Sequence, residues 1–130
     1  MDTQELGALG ERIACEYLVK KGFKILGKNY RISFGEIDII ARKKWKFFAR
    51  RDKTIHFVEV KTIMSNRAFF PEEHVNFKKQ RKLRQMAEIW LQKNKFKQNC
   101  PYQIDVVGIL INETTRNAKL HYFSNAVGGT

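Results

Sequence analysis

The sequence has few cysteines and no long apolar segment, and both shortages exclude classes of protein. Its 130 residues include 2 cysteines, Cys15 and Cys100, which are too far apart to form a CxxC motif. This spacing argues against a disulfide scaffold and against a zinc ribbon. No apolar run approaches the roughly 18 residues of a bilayer span, and the acidic, polar residues 1–5 do not resemble a secretory signal. We therefore expect a cytoplasmic protein with no membrane partner.

Acidic residues are also scarce relative to basic ones. There are 13 Asp and Glu against 25 Lys and Arg, which gives a net charge of +12. The excess lies in residues 42–53, with seven basic and one acidic side chain, and in residues 75–97, with eight and one. A localised basic excess is typical of a surface that binds nucleic-acid phosphates. Trp45, Phe47 and Phe48 interleave the first stretch and can either stack on bases or cap the core.

The length and the hydrophobic pattern predict one domain, residues 1–130, with a sizeable core. Apolar periodicity predicts helices over 3–21 and 74–95, and residues 63–73 are expected to form a loop. The predicted strands are 23–26 and 30–32 (or one interrupted strand), 36–41, 55–62, 102–111 and 120–123. The resulting order, α-β-β-β-α-β-β, indicates an α/β domain with a central mixed sheet flanked by helices.

Two acidic residues stand within segments that otherwise resemble buried strands. Asp38 lies among isoleucines, and Glu59 lies between two valines and is followed by Lys61. An unpaired buried carboxylate is energetically costly, so these positions call for a specific partner. Because side chains alternate along a strand, Glu36 shares a face with Asp38, and Lys61 shares a face with Glu59. If the two strands are neighbours, Asp38, Glu59 and Lys61 converge.

The convergence of two carboxylates and a lysine favours a metal-dependent reaction. Two nearby carboxylates raise each other's pKa unless a cation lies between them, and Mg²⁺ prefers such oxygen ligands together with phosphate oxygens. A neighbouring lysine can orient the attacking water or neutralise charge that develops on phosphorus. The alternatives are an edge strand with a solvated Glu59–Lys61 pair, or an Asp38–Lys61 salt bridge. The joint pattern of Asp38 with Glu59-x-Lys61 favours the metal.

These residues resemble the PD-(D/E)XK nuclease superfamily and, more closely, the YraN-like family of small bacterial proteins. The resemblance covers nearly the whole chain, and its blocks around Asp38 and Glu59 are specific at this separation. The motifs that carry it are Gly7-x-x-Gly10-Glu11 with Ala14, Asn29-x-Arg31, Gly35-Glu36-Ile37-Asp38, Phe57-Val58-Glu59-Val60-Lys61-Thr62, Lys79-Gln80-Arg81-Lys82-Leu83 and Asp105-Val106-Val107.

The resemblance implies a restriction-endonuclease-like fold similar to that of Holliday-junction resolvases. Asp38 and Glu59 would then bind Mg²⁺ or Mn²⁺, and Lys61 would be the catalytic lysine. Glu11 looks like the first-helix glutamate that resolvase-type members add to the catalytic site, the alternative being a solvated helix residue. Glu36 would help to hold the metal ligands in place without binding the metal directly. Because resolvases of this fold act as two-fold dimers, a homodimer is also implied.

The basic residues predicted to contact nucleic acid follow from the same resemblance and from the charge pattern. They are Arg31, Lys43, Lys44, Arg50, Arg51, Lys78, Lys79 and Lys82. Lys79 is also compatible with a solvated position on a basic helix. The chain departs from the family at Gln103 and Ile104, where members carry an arginine and an aromatic residue. The 43–53 segment looks longer than usual. The histidines lack metal-ligand spacing and are predicted to be structural or solvated.

Three functions are compatible with these features. The first is a metal-dependent endonuclease acting on nucleic acid, with branched or structured DNA as the expected substrate. The second is a nucleic-acid-binding protein that keeps the nuclease fold without cleaving. The third is a basic protein on anionic membranes, with 75–97 as an amphipathic helix. The carboxylate–lysine set favours the first function, and packing of the helix on a sheet would argue against the third.

Overall fold

A computed structural model describes residues 1–44, 52–68 and 80–126 of the chain. Helices and strands follow one another in the order expected from the sequence. The elements of the described part are α1 (Thr3–Lys20), β1 (Phe23–Ile32), β2 (Gly35–Lys43), β3 (Ile55–Ser65), α2 (Gln80–Lys93), β4 (Tyr102–Asn112) and β5 (Ala118–Phe123). The predicted α/β class, a single domain with a mixed sheet flanked by helices, is confirmed, and it is consistent with a restriction-endonuclease-like fold.

Within the described residues the strands form one five-stranded sheet in the order β1-β2-β3-β4-β5. The β3–β4 pair is parallel, and the other neighbours are antiparallel. A parallel pair requires a crossover connection, and α2 lies in the connection between β3 and β4. The central strand β3 therefore pairs with β4 along its whole length and with β2 as far as Val58, so Glu59-x-Lys61 lies on a central strand but beyond its pairs with β2.

The helix α1 covers one face of the sheet. Asp2 caps its N-terminus by accepting a hydrogen bond from the backbone N–H of Glu5 at 2.7 Å. After its C-terminus the chain turns at Gly22, which has a φ of 93° that favours glycine. Ala14 and Leu18 are fully buried against the sheet. They belong to a cluster that includes Ile39, Ala41, Val58, Val107, Ile109 and Ile111.

The helix α2 covers the opposite face of the sheet. Its apolar side chains pack on residues of the sheet, so this amphipathic face is buried in the core. The cluster contains Leu83, Met86, Ala87, Trp90 and Leu91 from α2 with Ile37, Ile40, Ile55, Phe57 and Ile104 from the sheet. This packing argues against the membrane-surface function. Among the described residues, no helix has the length and apolar character required to cross a bilayer.

The structure decides between the alternatives left open for β1 and corrects the predicted end of β3. β1 is one strand whose pairing with β2 shifts register between Ile25 and Gly27. The loop predicted for 63–73 was wrong at its start, because β3 continues to Ser65 in register with Asn112 of β4. Long-range pairing with β4 extends a strand whose local sequence is ambiguous. The described part of the second helix begins at Gln80, and residues 74–79 of the predicted helix lie outside the described residues.

Candidate active site

The candidate site lies where β2 and β3 part. The two strands pair from Arg42 opposite Ile55 to Ile39 opposite Val58, and the described pairing stops there. Asp38 is the next residue of β2, and its carboxylate Oδ2 accepts a hydrogen bond from the backbone N–H of Val60 at 2.8 Å. A side-chain oxygen therefore satisfies an N–H of β3 beyond the last pair with β2. We call this opening between the strands the fork.

A close contact between α1 and β3 places Glu11 at the fork. Gly10 is buried, and a Cβ atom built on it would lie 1.7 Å from Oγ1 of Thr62. Only glycine allows the helix backbone to approach the strand this closely. The next residue, Glu11, is half-buried and directs its carboxylate toward β2.

Three carboxylates meet at the fork. Oxygen atoms of Glu11, Glu36 and Asp38 all lie within 4.8 Å of one another. The three residues come from α1 and from alternate positions of β2, as expected for Glu36 and Asp38 on one face of a strand. Three half-buried carboxylates at this spacing form a set of hard oxygen donors of the kind that Mg²⁺ and Mn²⁺ prefer.

The carboxyl group of Asp38 is strongly perturbed. Burial raises its pKa to about 7 from an ordinary value of 3.8, and the hydrogen bond from Val60 opposes the rise. The carboxylates of Glu11, Glu59 and Glu36 raise the pKa further by repulsion. The fork is therefore a place where negative charge is crowded and a cation would be stabilised.

Glu59 and Lys61 form an ion pair beside the carboxylate group. The distance from Lys61 Nζ to Glu59 Oε1 is 3.2 Å, and their side chains are 31% and 17% exposed. Lys61 is therefore paired with Glu59, whereas the sequence left open a salt bridge with Asp38. Glu59 lies close enough to act on the charge of Asp38, although it is not one of the three carboxylates of the described cluster.

Comparison with known proteins places the chain in a family. Residues 10–109 match the family model described as "Uncharacterised protein family UPF0102". The chain belongs to the UPF0102 family. This is the YraN-like family that the sequence resembles, and the match includes every residue of the fork.

Individual UPF0102 proteins align with the chain over almost their whole length. The chain is 40% identical over 126 residues to a UPF0102 protein of Caldicellulosiruptor saccharolyticus, covering 97% of this chain and 99% of that protein. It is 38% identical over 127 residues to one of Caldanaerobacter subterraneus subsp. tengcongensis, with 97% of each covered. A UPF0102 protein of Clostridioides difficile is 38% identical over 123 residues, covering 95% of this chain and 100% of that protein.

The basic residues predicted to contact nucleic acid occupy different positions in this UPF0102 member. Arg31 is exposed and its Nε lies 3.4 Å from Glu36 Oε2, at the edge of the fork. Lys43 and Lys44 are exposed at the end of β2, and Lys82 is exposed on α2. The other predicted residues, Arg50, Arg51, Lys78 and Lys79, lie outside the described part of the chain, as do Trp45, Phe47 and Phe48.

Sequence reasoning missed a buried polar network near the start of β3, away from the fork. Asp105 is 0% exposed, and its carboxylate lies 2.6 Å from Nδ1 of His56 and accepts a hydrogen bond from the hydroxyl of Tyr122. Gln103 Nε2 and the backbone N–H of Asn125 also donate to it, at 2.8 and 2.7 Å. Burial raises the pKa of Asp105, but these hydrogen bonds outweigh burial and hold it below its ordinary value.

The network gives Gln103 a structural role. Gln103 departs from the pattern that the resemblance implies, and its amide nitrogen donates to both Asp105 Oδ1 and Ser124 Oγ. His56 is buried, in agreement with the structural role predicted for it. The signal in the sequence was an aspartate at the start of an apolar strand, but its partners lie up to 49 residues away.

Proposed function

We propose that this UPF0102 protein is a metal-dependent phosphodiester hydrolase acting on nucleic acid. The observation that carries the proposal is the convergence of Glu11, Glu36 and Asp38 beside the Glu59–Lys61 pair at the fork. Carboxylates held this close, without enough donors to neutralise them, are stabilised by a hard divalent cation. A lysine beside such a group supplies the positive charge that phosphoryl transfer requires.

The donor set fits Mg²⁺ or Mn²⁺. Asp38, Glu11 and Glu36 would hold the cation, with Glu59 at the margin of the group. When bound, it would polarise the phosphoryl oxygen and lower the pKa of the attacking water. The raised pKa of Asp38 supports this assignment, because a carboxyl group that is costly to ionise alone is stabilised in its ionised form by a cation.

The chain's own groups then position and neutralise the reacting phosphate. Lys61 is half-buried and held by Glu59 at 3.2 Å, so its ammonium group is fixed beside the carboxylates rather than free in solvent. From this position it orients the attacking water or offsets the negative charge that grows on the phosphoryl oxygens in the transition state. Asp38 is fixed by the backbone N–H of Val60, which keeps one carboxylate oxygen from rotating.

The charge of the whole chain supports the proposed substrate class. A net charge of +12 attracts a polyanion, and the acidic fork lies beside the exposed Arg31. We propose DNA, branched or otherwise structured, as the substrate, with cleavage inside a strand. We further propose that the protein acts in the cytoplasm, away from membranes, and that it works as a homodimer.

A cleavage assay tests the proposed reaction. The substrates are end-labelled single strand, duplex, flap, fork and four-way junction, each incubated with Mg²⁺, Mn²⁺ or EDTA. We expect internal cuts with either cation and none with EDTA. Lys61→Met keeps the apolar stem of the side chain and removes the charge, and it should lower the cleavage rate by about 100-fold or more.

The matched control is Lys24→Met, which removes one exposed lysine of β1 and should cut like the wild type. Cutting by Lys61→Met at the wild-type rate would contradict the role given to Lys61. Binding to the same panel without cleavage under any cation would overturn the nuclease proposal and favour a nucleic-acid-binding protein that retains the fold.

A further inference from the structure

Asn29 lies between two of the three carboxylates of the fork. With its amide oriented so that the nitrogen donates, Nδ2 is 3.2 Å from both carboxylate oxygens of Glu11 and 3.0 Å from Oε1 of Glu36. Its neighbours Lys28 and Tyr30 pair with Ile39 and Ile37 of β2. Asn29 therefore stands opposite Asp38 in the register of the two strands, and its side chain spans the gap between α1 and β2.

A primary amide is chemically suited to this place. It has two N–H groups and no charge, so it can donate to both carboxylates while leaving their negative charge available to a cation. A lysine at the same position would neutralise them and compete with a metal ion, and an aspartate would add a fourth repelling carboxylate. Among the described residues, Asn29 supplies the hydrogen bonds that fix Glu11.

The backbone conformation at position 29 also favours asparagine. Asn29 has a φ of 51°, in the left-handed region that asparagine tolerates better than most residues with a side chain. The left-handed conformation interrupts the regular geometry of β1 at Asn29, although the residues on either side of it pair with β2. The side-chain chemistry and the backbone conformation thus favour the same amino acid at position 29.

We propose that Asn29 is a positioning residue that holds Glu11 and Glu36 at the separation required to bind a divalent cation. This inference rests on the proposed function and extends it to a residue that does not itself bind the cation. Partners that orient metal ligands in this way commonly change metal affinity by about 10- to 100-fold when removed.

The test measures Mn²⁺ binding to the full chain by isothermal titration calorimetry, together with the melting temperature in EDTA. Asn29→Gly deletes the amide and keeps the left-handed backbone without strain. We expect its dissociation constant for Mn²⁺ to rise by about 10-fold or more, with a metal-free melting temperature close to that of the wild type. A role limited to folding would lower the melting temperature instead.

Asn125→Gly is the matched control, because Asn125 is also left-handed, with a φ of 49°, and lies at the opposite end of the sheet beside Asp105. It should bind Mn²⁺ like the wild type. Unchanged Mn²⁺ affinity in Asn29→Gly would overturn the positioning role while leaving the proposed function intact. Absence of Mn²⁺ binding by the wild type would overturn both.

Discussion

At the scale of single residues, the aspartates Asp38 and Asp105 of the sheet have opposite environments. Asp105 accepts hydrogen bonds from four groups, which hold its pKa below the ordinary value in spite of burial. Asp38 accepts one hydrogen bond, from Val60, and burial, together with repulsion from the neighbouring carboxylates, raises its pKa to about 7. The ionised carboxylate of Asp105 is stabilised by hydrogen bonds within the protein, whereas the carboxylate of Asp38 has less such stabilisation and would gain more from a cation. This contrast makes Asp38, rather than Asp105, the candidate functional carboxylate.

The raised pKa of Asp38 predicts how stability depends on pH without metal. The folded protein holds this proton more tightly than the unfolded chain, so stability falls as the pH rises from 3.8 through about 7. Asp38→Asn keeps an oxygen to accept from Val60 and removes the charge. In EDTA at pH 8, we expect it to raise the free energy of unfolding by about 1–3 kcal/mol, and by less at pH 5.

Urea unfolding at the two pH values measures this difference. Glu113→Gln, which removes an exposed carboxylate at the turn after β4, controls for the loss of one negative charge. A metal-free Asp38→Asn protein that is less stable than the wild type at pH 8 would show that the ionised carboxylate is already compensated.

At the scale of elements, the order of helices and strands could be predicted because apolar periodicity is a local signal. The site could be predicted only in part. Asp38, Glu59 and Lys61 stood out as charges in apolar strands, and the position of Glu36 followed from strand alternation. Glu11 was predicted from the resemblance alone, because its approach to the fork depends on how closely α1 packs against β3, which no local pattern reveals. The part played by Asn29 depends on both its backbone conformation and that helix contact, so it was missed.

The contact between α1 and β3 predicts opposite effects for two glycines of one helix. Gly10→Ala places a methyl group 1.7 Å from Oγ1 of Thr62, so the helix must move away. We expect a loss of about 1–3 kcal/mol in the free energy of unfolding, together with weaker Mn²⁺ binding because Glu11 moves with the helix. Chemical denaturation and calorimetric titration measure the two effects.

Gly7→Ala is the matched control, since a Cβ at Gly7 meets nothing within 4 Å. There the better helix propensity of alanine should stabilise the protein by up to about 1 kcal/mol. Equal effects of the two substitutions would contradict the packing that positions Glu11.

At the scale of the whole molecule, a basic chain carries an acidic fork. The excess positive charge lies in residues 42–53 and 75–97, and the remaining residues carry slightly more acidic than basic side chains. A polyanion is attracted by the basic segments but repelled by the fork until a cation occupies it. Binding and cleavage should therefore depend on different residues.

This separation predicts the salt dependence of DNA binding. Lys44 is exposed at the end of β2, within the first basic segment. If it contacts one phosphate, Lys44→Ala lowers the slope of log affinity against log salt concentration by about 0.9. Fluorescence anisotropy over a salt series measures this slope. Lys20→Ala, at the exposed end of α1, should leave the slope unchanged, and an equal change in both variants would contradict a local contact.

The most direct test of the central claim is the rate of Mg²⁺-dependent DNA cleavage by the wild type and by Asp38→Asn, with DNA affinity measured in parallel. The account predicts that the substitution lowers the cleavage rate by roughly 100-fold or more, while affinity for DNA is retained because the basic segments are unchanged. Cleavage by Asp38→Asn at the wild-type rate, or a wild type that binds DNA and never cuts it, would contradict the assignment of the fork as a nuclease site.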